Sequence, residues 1–271
     1  MANMTETITP AVQPSLYIPH GGGPCFFMPD PTGMWRKMEA YLQSIPESLP
    51  EKPRAILLVS AHWETQGFAF TGGGAPGLIY DYYGFPPHTY ELTYPAPGAP
   101  WLAERAAGLL RGAGMPARVD PDHGFDHGMF VPLKVAFPDA DIPVVEMSLD
   151  ASLDPALHLA AGRALAPLRD EGVLVIGSGM SFHNMQVMRN PALAAYSTDF
   201  DRWLGEAATA PADERAAMLA RWEQAPNARY SHPREEHLLP LMVAAGASGA
   251  AGRIDYAENM LGSALSGYRF A

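Results

Sequence analysis

Four short runs of apolar, largely β-branched residues recur along the chain: Ser15 to Ile18, Arg54 to Ser60, Ile142 to Ser148 and Gly172 to Ser178. Runs of this length without polar alternation read as strands buried on both faces, and they predict a central sheet covered on two sides. The covering helices follow from 3.6-residue periodicity. Trp101 to Arg111 places Leu102, Ala106, Leu109 and Leu110 on one stripe, while Asp154 to Arg169 opens on an Asp-Pro start signal and aligns Leu157, Ala161, Ala164, Leu165 and Leu168. Further helices are predicted at Ala194 to Ala207, Asp213 to Gln224 and Arg234 to Ala245. The last should kink at Pro240, which has no N–H to give the carbonyl of Glu236. Strands alternating with helices predict an α/β, single-domain layered fold over 15–271, with a mostly parallel or mixed central sheet flanked by helices. Residues 1–14 read as a flexible polar tail. The stretch from Gly72 to Gly98, rich in Gly, Pro and Tyr, reads as an ordered excursion beside a site or as a surface loop packed by its own aromatics.

Composition narrows the function classes. With 48% hydrophobic residues, a 271-residue chain can bury a large core. A formal charge of −11 repels a phosphate backbone, which argues against nucleic acid as a partner. The single cysteine, Cys25, can form no internal disulfide, and no CxxC spacing is present, so a reducing compartment is expected. Cys25 itself reads as a small buried filler. Apolar runs fall short of the ~20 residues of a spanning helix, so a cytoplasmic protein without a membrane partner is expected. The state is left open between monomer and homodimer.

The nine histidines matter by placement. His20, His62 and His183 each follow a predicted strand, where open α/β sheets set their ligand crevices. His237, four residues before Leu241 on the last predicted helix, can point inward with its apolar side. Asp122, His123, Asp126 and His127 form a further cluster in DPDHGFDHG. Neutral imidazoles on separate loops suit Fe, Zn, Cu or Ni in a mononuclear site with open positions. The spacing holds no tight motif such as HExxH, so separate hydrogen-bonded structural histidines remain the alternative. His158 reads as solvated on its helix, His232 as ordering a helix entry, and His88 is undecided. His20-Gly21-Gly22-Gly23-Pro24 lacks the lysine and spacing of a nucleotide cradle. Ser178 does not complete a GxSxG nucleophile turn. Tyr80, Tyr82, Tyr83 and Phe85 either wall an aromatic substrate or pack locally.

Six blocks in order resemble the class III extradiol ring-cleavage dioxygenases: IPHGGGP at 18–24, VSAHWET at 59–65, YPAPGAP at 94–100, GFDHGMFVPLK at 124–134, GSGMSFHN at 177–184 and EEHLLPLMVAAGA at 235–247. The branch resembled is that of 4,5-DOPA extradiol dioxygenases, over residues 15 to 260. The resemblance implies that His20, His62 and His237 hold one metal, with Fe(II) for activity and Zn(II) as a possible occupant. It implies His183 as the acid/base residue and His127 as a catalytic residue lining the substrate pocket; among the glycines and aromatics read above, Gly22 and Tyr82 are expected as further substrate contacts. The implied substrates are a catechol-type aromatic and O2. Two departures stand out. The first block usually reads closer to HGSP, and in protocatechuate-cleaving relatives the third ligand is a carboxylate, which makes Glu236 an alternative to His237. A zinc-dependent hydrolase and a non-catalytic binding protein are the rival readings; retention of His20, His62, His183 and His237 argues against the second.

Overall fold

The computed structural model describes residues 10–187, 190 and 194–271, the side chain of residue 194 excepted. Its strands are β1 (Ser15–Pro19), β2 (Ala55–Thr65), β3 (Phe68–Thr71), β4 (Ala117–Asp120), β5 (Val144–Asp150), β6 (Val173–Gly179), β7 (Gly252–Met260) and β8 (Ser263–Phe270). They form one sheet in the order β4-β3-β5-β2-β6-β1-β8-β7. The four runs read from the sequence are the central β5-β2-β6-β1, all mutually parallel. Antiparallel pairing begins outside them, at β3 against β5 and at β8 against β1 and β7.

The helices are α1 (Arg36–Ser44), α2 (Pro100–Gly112), α3 (His127–Ala136), α4 (Pro155–Leu165), α5 (Pro167–Asp170), α6 (Ala194–Thr209), α7 (Ala212–Leu219), α8 (Ala228–Ser231) and α9 (Leu239–Gly246). Because successive strand residues point to opposite faces, the central strands feed two separate cores. Leu57, Val59, Val145 and Val173 pack with Leu102 and Leu110 of α2, Leu159 and Leu165 of α4, and Leu241 and Val243 of α9. Ile56, Leu58, Val144, Leu174 and Ile176 pack with Leu42 of α1 and with Met129, Phe130 and Leu133 of α3. The result is a three-layer α/β sandwich, as the sequence predicts.

Several local expectations change. The helix predicted over Asp154 to Arg169 is two, because Pro167 has no N–H to give the carbonyl of Arg163 and starts a new turn. The helix predicted from Arg234 to Ala245 is absent in its first half, and α9 opens at Leu239 with Pro240 in its first turn, so there is no kink. A first-turn proline loses nothing, since that N–H has no intrahelical acceptor. The Asp213 to Gln224 helix ends at Leu219 and gives way to a short 3-10 turn over Trp222–Gln224. Of the expected tail, 1–9 lie outside the described residues, whereas 10–14 pack on the body: Gln13 is buried and its backbone pairs with Arg169. No described helix is long and apolar enough to cross a membrane.

Candidate metal centre

His20, His62, His127, His183 and His237 collect at the carboxyl ends of the parallel strands, the edge where an open α/β sheet carries its crevice. His20 directly follows β1, and His183 lies four residues beyond β6. His62 sits inside β2, which runs further than the sequence predicts, at a shift in its register with β5 between Val59 and Glu64. Such an irregularity re-aims side chains off the regular pleat. His127 is the first residue of α3, set there by Asp126, whose carboxylate caps the helix by accepting from Met129 N–H. His237 occupies the turn before α9 rather than a helix. That turn crosses the end of β6 closely: a Cβ on Gly179 would overlap the His237 carbonyl, and one on Gly177 that of Pro240. Tyr17 Oη–H and Met180 N–H both donate to the same His237 carbonyl. The GSG of β6 is therefore a docking surface for the 237–240 backbone.

The rings of His20, His62 and His237 form a nearly equilateral triangle, with centroids 5.0, 5.1 and 4.9 Å apart. One nitrogen from each lies within 4.8 Å of the others, and the Nε2 atoms of His20 and His62 are 3.2 Å apart. The opposite nitrogens face anchors. His20 Nδ1 is 3.1 Å from Ser178 Oγ, whose own hydroxyl donates to Gly128 O, so the imidazole is the donor in that pair. His237 Nδ1–H donates to Glu236 Oε1 at 2.9 Å, and His62 Nδ1 faces Asp81 Oδ2 at 3.6 Å. Outward Nδ1–H groups leave inward lone pairs, which is how metal-binding imidazoles are held. Burial first, and then the neighbouring histidines, push the pKa values of His20 and His237 well below the usual imidazole value. Burial likewise lowers His62 to about 4. Three neutral imidazoles from separate elements fit a divalent transition metal with open coordination positions.

Two more histidines flank the triangle. His183 stacks on His237, with centroids 3.4 Å apart, and its Nδ1 lies 3.2 Å from the same Glu236 Oε1. His127 donates from Nδ1–H to Asp81 Oδ1 at 2.8 Å, and its backbone N–H donates to that oxygen too. Each is left with an Nε2 to offer the cavity. Burial opposes the charge of Glu236, but hydrogen bonds from His183 and His237 outweigh it and hold its carboxyl well below the usual range. Asp81 is held low in the same way, against burial, by His127. Both carboxylates approach Nδ1 atoms, on the outer side of the rings. Glu236 thus stands behind His183 and His237.

These histidines open into a cavity of about 540 Å³ that Gly22 also lines, within the ~300–1,000 Å³ usual for small-ligand sites. The rest of its wall includes Met28, Met34, Trp35, Phe85, Met180 and Met260. Tyr82, expected to touch substrate, instead packs edge-on behind His127, with its hydroxyl donating to Thr89 O. Phe85 reaches the cavity in its place. Of the DPDHGFDHG cluster only His127 arrives: His123 stacks on Trp63, and Asp122 is exposed. His158 is buried, not solvated, donating from Nδ1 to Asp154 O and accepting at Nε2 from Asp150 N–H. His232 is buried with Nε2 against Ser181 O, and exposed His88 rests on Phe27 O. Cys25 is buried, as expected.

Sequence reasoning passed over Asp81, although it lies inside the flagged Gly72 to Gly98 excursion. It also passed over Glu146, fully buried below Asp126, whose backbone N–H it accepts. Burial and the adjacent Asp126 carboxylate raise the Glu146 pKa well above the usual range.

Residues 15–268 match the sequence family described as the catalytic LigB subunit of aromatic ring-opening dioxygenase. The chain is 42% identical over 254 residues to a protein named dioxygenase tasH from Hapsidospora irregularis, covering 87% of this chain and 78% of that one. It is 37% identical over 260 residues to a 4,5-DOPA dioxygenase extradiol of Beta vulgaris, covering 95% of each. Among solved structures, an uncharacterized protein of Escherichia coli K12 gives a TM-score of 0.76 at 30% identity, over 96% of this chain and 100% of that one.

Proposed function

We propose, for a chain that belongs to the LigB family of aromatic ring-opening dioxygenases, that it cleaves the ring of a catechol-type substrate with O2 at one metal held by His20, His62 and His237. The observation that carries this reading is the triangle of three neutral imidazoles, its outer nitrogens turned to Ser178, Asp81 and Glu236. A bound Fe(II) would supply the redox coupling between an electron-rich diol and O2, whereas Zn(II) suits the same nitrogens but has no accessible redox step.

The remaining roles belong to the chain's own side chains. His183, its Nδ1–H fixed on Glu236, has a basic Nε2 facing the cavity and takes the second hydroxyl proton of the diol. It returns that proton to oxygen as the ring opens. His127, locked by Asp81 through Nδ1–H, turns its Nε2 lone pair to the cavity and accepts a hydrogen bond from a hydroxyl of the bound diol, which orients the ring. Gly21, Gly22 and Gly23 line the cavity beside His20, and Gly21, at φ 85°, adopts a backbone that other residues rarely take and lets Cys25 Sγ pack where a side chain would stand. The apolar walls displace water from the reacting groups.

The test is anaerobic Fe(II) reconstitution followed by a catechol panel with oxygen electrode and mass spectrometry. One O2 consumed per ring, with both ¹⁸O atoms in the product, is expected. His183→Ala should keep the metal and lose most turnover, and His20→Ala should lose the metal. Product formation without O2 uptake would replace this reading with zinc-dependent hydrolysis.

A further inference from the structure

We infer that the substrate is an uncharged catechol bearing an apolar substituent, seated on a methionine wall, and not a catechol that carries a carboxylate or an ammonium group. This rests on the ring-opening reading above and specifies its substrate. The cavity wall is made of two chemically distinct sets of residues. Imidazoles are one set, where the diol belongs. Met28, Met34, Met180, Met185 and Met260, with Trp35, supply much of the rest, and Met34, Met180, Met260 and Trp35 belong to one packed cluster. Thioethers are flexible, polarizable and favourable against aromatic rings, and they adapt to substituents of varied shape.

No Lys, Arg, Asp or Glu lines the cavity among the described residues. The charged groups beyond its wall have partners of their own, including Glu258 of the adjoining groove, which accepts from the Tyr256 hydroxyl. Arg234 grips both Glu64 carboxylate oxygens at 2.6 Å, and Lys37 Nζ donates to Ala257 O at 2.6 Å. Asp81 and Glu236 each face two histidines. A carboxylate or ammonium set against this wall would lose water without gaining a charged partner among the described residues. Volume calls for a substituent on the diol ring, whatever its charge. At ~30 Å³ per water-sized group, the cavity holds about 18 of them, so a bare diol ring leaves roughly half unfilled. The apolar surface continues to the mouth, where Met185 is 67% and Leu261 43% exposed. That rim suits a substituent extending outward.

The experiment compares 4-tert-butylcatechol, L-DOPA and 3,4-dihydroxybenzoate. Calorimetric binding is measured anaerobically on Zn(II)-loaded protein, and kcat/KM by oxygen uptake on Fe(II)-loaded protein. The tert-butyl compound should bind at least about tenfold tighter than either charged catechol, with the same order in kcat/KM. Met34→Arg, at a partly exposed position, should shift the binding ratio toward 3,4-dihydroxybenzoate by about tenfold. Equal or tighter binding of either charged catechol to the unaltered protein overturns the inference. Apolar preference in the Zn(II) protein without oxygen uptake in the Fe(II) protein overturns the ring-opening reading and supports the pocket assignment. Oxygen uptake with preference for a charged catechol does the reverse, and failure of all three to bind overturns both.

Discussion

Glu236→Gln separates positioning from coordination at this centre. In the native protein one carboxylate oxygen receives hydrogen bonds from His237 Nδ1 at 2.9 Å and faces His183 Nδ1 at 3.2 Å, and the side chain is mostly buried. Glutamine keeps the shape and an accepting oxygen but removes the charge. A hydrogen bond to a charged group contributes about 1.5–3 kcal/mol and a neutral one about 0.5–1.5, so, midpoint to midpoint, each contact weakens by about 1.3 kcal/mol. The two losses fall on different observables. Weakening the His237 contact should lower metal affinity by about tenfold, the low end for partners standing behind a ligand. Weakening the His183 contact should lower kcat at saturating Fe(II) by a similar factor, near 1.4 kcal/mol of barrier. Affinity is read by competition with a chromophoric chelator, and kcat by oxygen electrode. Wild-type values of both in Glu236→Gln would refute the assignment. So would loss of metal in Glu236→Gln with retention in His237→Gln, because the carboxylate would then be the ligand.

Asp81→Asn should lower kcat/KM by about tenfold with less effect on metal content, since Asp81 bonds His127 at 2.8 Å but stands 3.6 Å from His62; metal analysis beside steady-state kinetics checks the split. The Cys25 thiol, pushed up to about 12 by burial, should resist iodoacetamide at pH 8 in the folded protein and react on unfolding, as intact mass would show. His232 has its folded pKa lowered to about 4 by burial, against an ordinary 6.5. The unfolded chain then takes up this proton first, and stability is lost as pH falls from 6.5 toward 4. At 1.36 kcal/mol per pH unit the loss reaches about 3 kcal/mol, and His232→Gln should remove it from the pH dependence of urea unfolding.

The sequence discloses the parts of this molecule whose signals are local. Strands β1, β2, β5 and β6 are buried on both faces, so their apolar runs stand out, whereas β7, with exposed Arg253 and Ile254, offers no such run. Strand β3 is only four residues long. His20, His62 and His183 are visible because the sheet's carboxyl edge is foreseeable from strand order. Their anchors are not. Ser178 reaches His20 from 158 residues away and Asp81 reaches His127 from 46, and no periodicity connects such pairs. Pro240 shows the opposite hazard: apolar spacing on both sides suggests one long helix, but a proline at its first turn marks the beginning of a shorter one. The methionine wall escapes notice for a similar reason, since Met28, Met180 and Met260 lie on three distant segments that only the fold brings together.

The tight crossing of the 237–240 turn over the end of β6 makes the proposed ligand His237 hostage to a strand. An added methyl at Gly179 would act as a wedge under the His237 carbonyl, prying one corner from the imidazole triangle while the sheet stayed intact. A lesion there would look chemical in an activity assay and architectural in its origin. The two glycines around Ser178 therefore belong to the functional inventory of this protein, even though neither offers an atom to metal or substrate.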